Sequence, residues 1–235
     1  MRMLITAGAI VAAAGVSACS EARSDPGPTV SRTYQVGNFQ EVEVAGPFDV
    51  DIRTGGSPGV SARGNQKLIE RLVVEVKGDR LEIHPRQDHR WFGGWGGGRG
   101  HGAISVTVPA LRAATLAGAG DMTIDKVEGD SFDGQIAGSG DFSVGSVDVG
   151  SLKLGIAGSG SARAGNGKAQ SAKYEIAGSG GVDAGSIATE DVKVSIAGSG
   201  SVKAHATRSA DVDIMGSGDV AVTGGAKCSV SKAGS

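Results

Sequence analysis

The sequence predicts an all-β fold, a parallel β-solenoid (β-helix) with 20-residue coils. The pentapeptide Ile-Ala-Gly-Ser-Gly occurs four times at intervals of 20 residues, starting at Ile136, Ile156, Ile176 and Ile196. On both sides of each glycine cluster, apolar and polar residues alternate, which is typical of short strands with one buried face. Because a unit of two short strands cannot bury its apolar face alone, successive units are expected to stack into a continuous core.

Equivalent positions in successive repeats predict the columns of that core. The four isoleucines share one inward position. A second inward position is shared by Phe132, Leu152, Ala172 and Val192. Less regular copies at Leu116–Gly120 and Ile214–Gly218 extend the array to six. The glycine clusters are expected where the chain turns with positive φ, because glycine has no Cβ to clash there. Helical repeats are excluded because glycine is too frequent inside the units.

The N-terminus is typical of an exported bacterial protein. Residues 1–18 combine the charge of Arg2 with a short apolar stretch, which predicts a signal peptide rather than a membrane span. Cys19, preceded by Val-Ser-Ala, resembles the lipidated cysteine of a bacterial lipobox, and Ser20 after it resembles lipoproteins forwarded to the outer membrane. Lipidation would make the membrane a partner through the acyl anchor. We therefore expect a cell-envelope lipoprotein of the outer membrane, with cleavage into the periplasm as the alternative.

Two further segments follow the signal peptide. Residues 19–33 are polar and contain two prolines, which predicts the lipidated cysteine followed by a flexible tether. Residues 34–235 are then expected to form the solenoid domain.

The part of the domain before the regular coils contains its own ordered motifs. Gly-Pro-Phe-Asp-Val at 46–50 lies in a less regular first copy of the repeat, Asn-x-x-Leu-Ile follows at 65–69, and Val-Lys-Gly-Asp-x-Leu-x-Ile follows at 76–83. The iterated Ala-Gly-Ser-Gly-Asp motif comes after them. This order resembles the bacterial family named "putative auto-transporter adhesin head GIN domain" (DUF2807), from about Tyr34 onwards. The resemblance implies a parallel β-helix in an exported, often lipid-anchored, envelope protein, and it brings no catalytic residues.

One segment, 84–102, is richer in glycine and aromatic residues than the family pattern leads us to expect, and it is predicted to be an inserted loop. Exposed aromatic rings can stack on sugars or lie at a membrane interface. The candidate ligand contacts are therefore Trp91, Phe92 and Trp95. Two alternatives stay open: a mobile hairpin without a ligand, and a loop that folds back to cap the first coil.

No metal site and no cofactor are predicted. The three histidines of the inserted segment have no spacing that enforces the tetrahedral geometry of zinc. They are His84, His89 and His101. The stacked residues Asp121 and Asp141 are expected to be solvated rather than to bind calcium, because the same position in the next coil is Ser161. Cys228 has no partner if Cys19 carries lipid, which either burial or a cysteine outside this sequence would explain.

The charge pattern favours a binding module over an enzyme. Nucleic acid is not expected as a partner, since the formal net charge is −2. Outward positions mix charges, which is typical of a solvated face. One such row is Asp133, Lys153, Lys173 and Lys193. We predict a non-enzymatic, adhesion-like or structural module without catalytic residues, whose candidate partners are a glycan or an envelope protein. The alternative is a polysaccharide-active β-helical lyase or hydrolase, which requires a cleft with converging carboxylates.

Overall fold

The computed structural model describes residues 28–86 and 102–234. These residues form a nearly all-β parallel solenoid of about 6 turns, which confirms the predicted fold class. The described elements are β1 Thr29–Tyr34, β2 Glu41–Ala45, β3 Phe48–Thr54, β4 Gly59–Asn65, α1 Gln66–Glu70, β5 Leu72–Lys77, β6 Arg80–Pro85, β7 Gly102–Val108, β8 Ala113–Gly118, β9 Met122–Gly138, β10 Phe142–Gly158, β11 Ser161–Gly178, β12 Gly181–Gly198, β13 Ser201–Gly216, β14 Asp219–Thr223 and β15 Lys227–Ala233.

The predicted isoleucine column is confirmed. Strands β9 to β12 pair in parallel so that each isoleucine lies opposite the isoleucine of the next coil. All four side chains are only 2 to 3% exposed. The second predicted column, from Phe132 to Val192, has the same register and is also buried. Stacking of equal positions therefore supplies both the core and the backbone hydrogen bonds between coils.

The strands are longer than the sequence predicts. Alternation indicated two short strands per repeat, one on each side of the glycine cluster. Each of β9 to β12 instead runs for 17 or 18 residues from one cluster to the next. The reason is that the pairing between coils continues through the bend that separates the two predicted short strands. At this bend, residues 126–129 pair with residues 146–149.

The two glycines of each Gly-Ser-Gly corner have different roles. The first has positive φ, as at Gly158 with φ 136°, where a side chain would be strained. The second, such as Gly160, packs against the carbonyl oxygen of Gly140 in the preceding coil so closely that a Cβ would collide with it. A Cβ at Gly158 would likewise collide with the carbonyl oxygen of Gly138. Both glycines therefore allow a close approach of two backbones, and the first also provides the turn conformation.

The order of coils in space differs from their order in the sequence. Strands β2 and β3 are the less regular first copy, and they pair in parallel with β8 and β9 on one side. On the other side they pair in parallel with β6 and β7, which come later in the chain. Antiparallel strands end the stack, since β5 pairs with β6, β4 pairs with β7, and β1 pairs with β4.

Strand β1 lies partly inside the segment 19–33, which the sequence predicts as a flexible tether. Its residues from Thr29 to Tyr34 pair antiparallel with β4. Most of its side chains are exposed, so the strand has no clear period-two alternation from which it could be predicted. Pairing with the edge of β4 accounts for most of the strand, and Val30 and Tyr34 add partly buried contacts with the core.

Candidate functional site

The predicted contact residues Trp91, Phe92 and Trp95 lie outside the described residues. The described strands show where their segment joins the solenoid. β6 ends at Pro85 and β7 begins at Gly102, and these strands stack on β2 and β3, which a glycine corner at Gly46 connects. The segment between β6 and β7 therefore occupies the sequence position that a glycine corner occupies in the neighbouring coils. The predicted bounds of 84–102 are too wide, since both ends belong to strands.

The hairpin of β5 and β6 carries a cluster of two carboxylates, one imidazole and one ammonium group close to this junction. Glu75 and Glu82 lie directly opposite each other in the hairpin register. Lys77 Nζ lies 2.8 Å from Glu75 Oε1 and 2.7 Å from Glu82 Oε2. His84 Nε2 lies 3.6 Å from Glu75 Oε1. One ligating atom from each of Glu75, Glu82 and His84 falls within 4.8 Å of the other two.

Hydrogen bonding dominates the electrostatics of this cluster. The hydrogen bond from Lys77 lowers the pKa of Glu75 below its ordinary value. In return, the hydrogen bonds to Glu75 and Glu82 raise the pKa of Lys77. The prediction for the histidines rested on their spacing alone. It therefore did not indicate that two carboxylates lie beside His84. The turn at Gly78, which has positive φ, sets the hairpin register and is the signal that could have found them.

An ion-pair network extends the cluster onto the neighbouring strand β2. Glu43 lies opposite Glu82 in the parallel register. Arg80 Nε lies 3.0 Å from Glu41 Oε2, and its Nη1 lies 3.2 Å from Glu43 Oε2. Arg112 also contacts Glu41, at 3.0 Å. The outer face of the first coils is therefore covered by paired charges.

The stacked aspartates have a structural role that their sequence pattern did not indicate. The backbone N–H of Asp121 donates to Asp49 Oδ1 at 3.2 Å, that of Asp141 donates to Asp121 Oδ1 at 3.0 Å, and that of Ser161 donates to Asp141 Oδ1 at 3.1 Å. Each carboxylate thus satisfies a backbone donor in the adjacent coil. These hydrogen bonds connect successive corners, and they explain the recurrence of aspartate at this position without a metal ion.

A shallow groove of about 840 Å³ follows the corner opposite the glycine clusters. Its lining includes Asp130, Asp148, Lys168, Gln170, Thr189 and Glu190. A polysaccharide-active enzyme requires a cleft with converging carboxylates, and this groove is lined by several carboxylates. Asp148 forms an ion pair with Lys168 at 3.4 Å, and Glu190 forms one with Arg208 at 3.2 Å. The side chains of both ion pairs are mostly exposed, so this groove has the character of a solvated charged face.

The pKa of Asp191, which lies beside this groove, provides a test of the ion-pair interpretation. Hydrogen bonds from Arg208 and then from Ser209 lower its pKa to about 2. Because the carboxylate form is favoured in the fold, its stabilising contribution is complete above about pH 4 and is lost as the pH falls through about 2. Carboxyl NMR is expected to show a midpoint near pH 2 for Asp191, and Arg208→Gln should raise it towards 3.8. An unchanged midpoint in that variant would contradict the pairing.

The two cysteines differ in what the structure says about them. Cys19 and the signal peptide lie outside the described residues. Cys228 is exposed and is the free cysteine of the described part of the chain. Burial, one of the two explanations offered above for its lack of a partner, is therefore wrong. Among the described residues, no helix has the length and apolar character needed to cross a membrane.

A family model described as "Putative auto-transporter adhesin, head GIN domain" matches residues 38–226. The chain belongs to this family. The match covers the irregular first coils and the regular repeats together, so the resemblance predicted from the sequence motifs is confirmed. The head GIN domain here comprises all the described strands except β1 and β15.

Solved structures show the same fold at low sequence identity. A protein from Bacteroides fragilis described as a putative adhesin has 22% identity and a TM-score of 0.78, with 88% of this chain and 94% of that chain covered. A protein from Parabacteroides distasonis described as a putative lipid binding protein has 23% identity and a TM-score of 0.68, with the same coverage. A putative adhesin from Parabacteroides merdae has 17% identity and a TM-score of 0.68, again with 88% and 94% covered. No curated protein matches the chain.

Proposed function

We propose that this head GIN domain chain is a non-enzymatic, lipid-anchored module of the bacterial cell envelope that binds through an adhesin-like contact. The main support is the construction of the described coils. Their interior is filled by stacked apolar columns, and many of their outer charges form ion pairs with each other. The family description and the neighbours described as adhesins point in the same direction.

The aromatic segment supplies the contact in this proposal. Trp91, Phe92 and Trp95 are concentrated in one stretch that joins β6 to β7. The described coils fill their core with their own apolar residues, and in this proposal the three rings make contacts outside that core. Aromatic rings of this kind suit a glycan or the surface of an envelope protein.

Removing two of these rings is expected to weaken attachment without loss of fold. Replacing Trp91 and Trp95 by Ala should reduce binding to glycan arrays or isolated envelope about fivefold or more, because each stacked ring contributes about 0.5–1.5 kcal/mol. The melting temperature should not change. Met215→Ala is the matched control, because Met215 is an exposed apolar side chain elsewhere on the solenoid, 66% exposed.

The outcome separates contact from capping. A lower melting temperature in the double tryptophan variant would mean that the segment caps the first coil. Unchanged melting together with unchanged attachment would show that the binding contact lies elsewhere.

Membrane anchorage is expected to depend on Cys19. Mass spectrometry of the mature protein should find a diacylated or triacylated N-terminal cysteine. The acyl chains would hold the protein on the membrane, because each buried methylene contributes about 0.8 kcal/mol to membrane binding. Cys19→Ser should move the protein from the membrane fraction to the soluble fraction, whereas Cys228→Ser should leave it on the membrane. An unmodified N-terminus at another residue would refute the anchor.

A further inference from the structure

We propose that Glu75, Glu82 and His84 form a binding site for a divalent transition metal of the Zn²⁺ type, in which the ammonium group of Lys77 occupies the cation position until a metal displaces it. This site is separate from the aromatic contact and does not depend on the proposed function.

The hairpin brings the three donors to one place. Glu75 and Glu82 are directly opposite residues of β5 and β6, and His84 follows Glu82 by two, on the same face of β6. Zinc binds nitrogen and oxygen donors at about 2.0–2.2 Å, so two ligands in a tetrahedral site lie about 3.3 Å apart. The 3.6 Å between Glu75 Oε1 and His84 Nε2 is close to this separation. The third donor is within reach of a small side-chain rotation, since all three atoms lie within 4.8 Å.

The orientation of His84 favours a metal at Nε2. Its Nδ1 lies 3.1 Å from the backbone oxygen of Pro85. A carbonyl oxygen can only accept a hydrogen bond, so Nδ1 must be the donor. With Nδ1 engaged in this way, Nε2 is the atom left to bind a metal, and a cation between Nε2 and the carboxylate of Glu75 would interact favourably with both. A backbone carbonyl that fixes the imidazole in this way is the usual partner of a metal-binding histidine.

The charge of this face also favours an added cation. Glu43, Glu82 and Glu75 form one row across three adjacent strands. Like charges directly opposite each other in a sheet are destabilising. The three negative charges of the row are only partly balanced by Lys77 and Arg80, which contact its members at 2.7 to 3.2 Å. The ammonium of Lys77 bridges two carboxylates, which is the position that a divalent ion with twice the charge would take.

The donor set selects the class of metal. Calcium and magnesium prefer all-oxygen coordination, whereas an imidazole with carboxylates suits zinc and its neighbours in the transition series. The three protein donors leave one tetrahedral position for water. We therefore expect Zn²⁺ to bind and Ca²⁺ and Mg²⁺ not to compete with it.

Calorimetric titration of the full chain with Zn²⁺ tests the site through four variants. His84→Gln and Glu82→Gln should each weaken binding by at least about tenfold, because a ligand is lost. Lys77→Met should strengthen it by at least about twofold, because no ion pair must then be broken. His205→Gln is the matched control. This partly exposed histidine of β13 lies 3.0 Å from Thr223 Oγ1, and its loss should leave the affinity unchanged.

The variants, and not the wild-type titration alone, assign the metal to this hairpin. His89 and His101 lie outside the described residues and offer Zn²⁺ other donors. Equal affinity in wild type, His84→Gln and Glu82→Gln would overturn the proposal, and so would the absence of Zn²⁺ binding in Lys77→Met. Circular dichroism of each variant should match wild type, since all four positions are at least partly exposed.

Discussion

Ile176→Asp is expected to destabilise the solenoid by about 4 kcal/mol or more at neutral pH. Ile176 is 2% exposed and lies between Ile156 and Ile196 in the isoleucine column. An aspartate there has no cation in either adjacent coil position, so it would fold only in its protonated form. Protonating a carboxyl with an ordinary pKa near 3.9 at pH 7 costs about 4 kcal/mol, and the lost apolar burial adds to this.

The pH dependence of this variant gives a sharper test than its stability alone. Because the folded state would raise the pKa of the new carboxyl, the folded state binds more protons than the unfolded state. The difference in unfolding free energy between variant and wild type should therefore shrink as the pH falls from 7 towards 4. Ala177→Asp is the control, because Ala177 is exposed and its equivalent in a later coil is the larger Met215. Urea denaturation that finds the two variants equally stable would refute the buried column.

Gly158→Ala is expected to cost about 3 kcal/mol of unfolding free energy. Gly158 has φ 136°, a conformation that costs a residue with a Cβ about 1–3 kcal/mol. The new Cβ would also meet the carbonyl oxygen of Gly138. That oxygen accepts hydrogen bonds from the N–H groups of Ser159 at 2.9 Å and Gly160 at 3.3 Å, and the methyl group would disturb both, at about 0.5–1.5 kcal/mol each.

Two further glycine variants separate conformation from close contact. Gly129 has φ 137°, but a Cβ added there would meet no atom of the described residues within 4 Å, so Gly129→Ala should show only the conformational cost. Gly181 lies opposite Ser161 and Ser201 in the neighbouring coils, so Gly181→Ser should change stability by less than about 0.5 kcal/mol. If Gly158→Ala is as stable as Gly181→Ser in urea denaturation, the corner does not require glycine.

The regular coils could be predicted from the sequence because one repeat length determines register, core and corner together. The isoleucine spacing specifies which residues stack, and a regular coil needs only its two similar neighbours to complete its core and its backbone hydrogen bonds. The first coils could not be ordered in the same way. Strand β6 pairs with β2, and β7 pairs with β3. The coil of β6 and β7 therefore lies at the end of the stack, although β2 and β3 come first in the chain. No local sequence pattern predicts this change in the order of the coils, because the order depends on which apolar faces pack together during folding.

The polar sites were less predictable because their residues meet only through strand pairing. Asp121 and Asp141 are exposed, as the sequence predicts. The sequence did not indicate that their carboxylates also accept hydrogen bonds from the backbone of the next coil. Glu75, seven residues before Glu82, becomes its neighbour only when the turn at Gly78 fixes the hairpin. Residue spacing alone cannot distinguish such a pair from two separate surface charges.

Release of reducing sugar ends is the measurement that most directly tests whether this module binds without catalysis. The soluble Cys19→Ser chain would be incubated with isolated envelope polysaccharide. Since the groove carboxylates Asp148 and Glu190 are held in ion pairs, new reducing ends should stay at the level of a protein-free control while the chain is retained on the envelope material. A rise in reducing ends that is proportional to protein concentration, and that Asp148→Asn or Glu190→Gln abolishes, would contradict a binding module without catalysis.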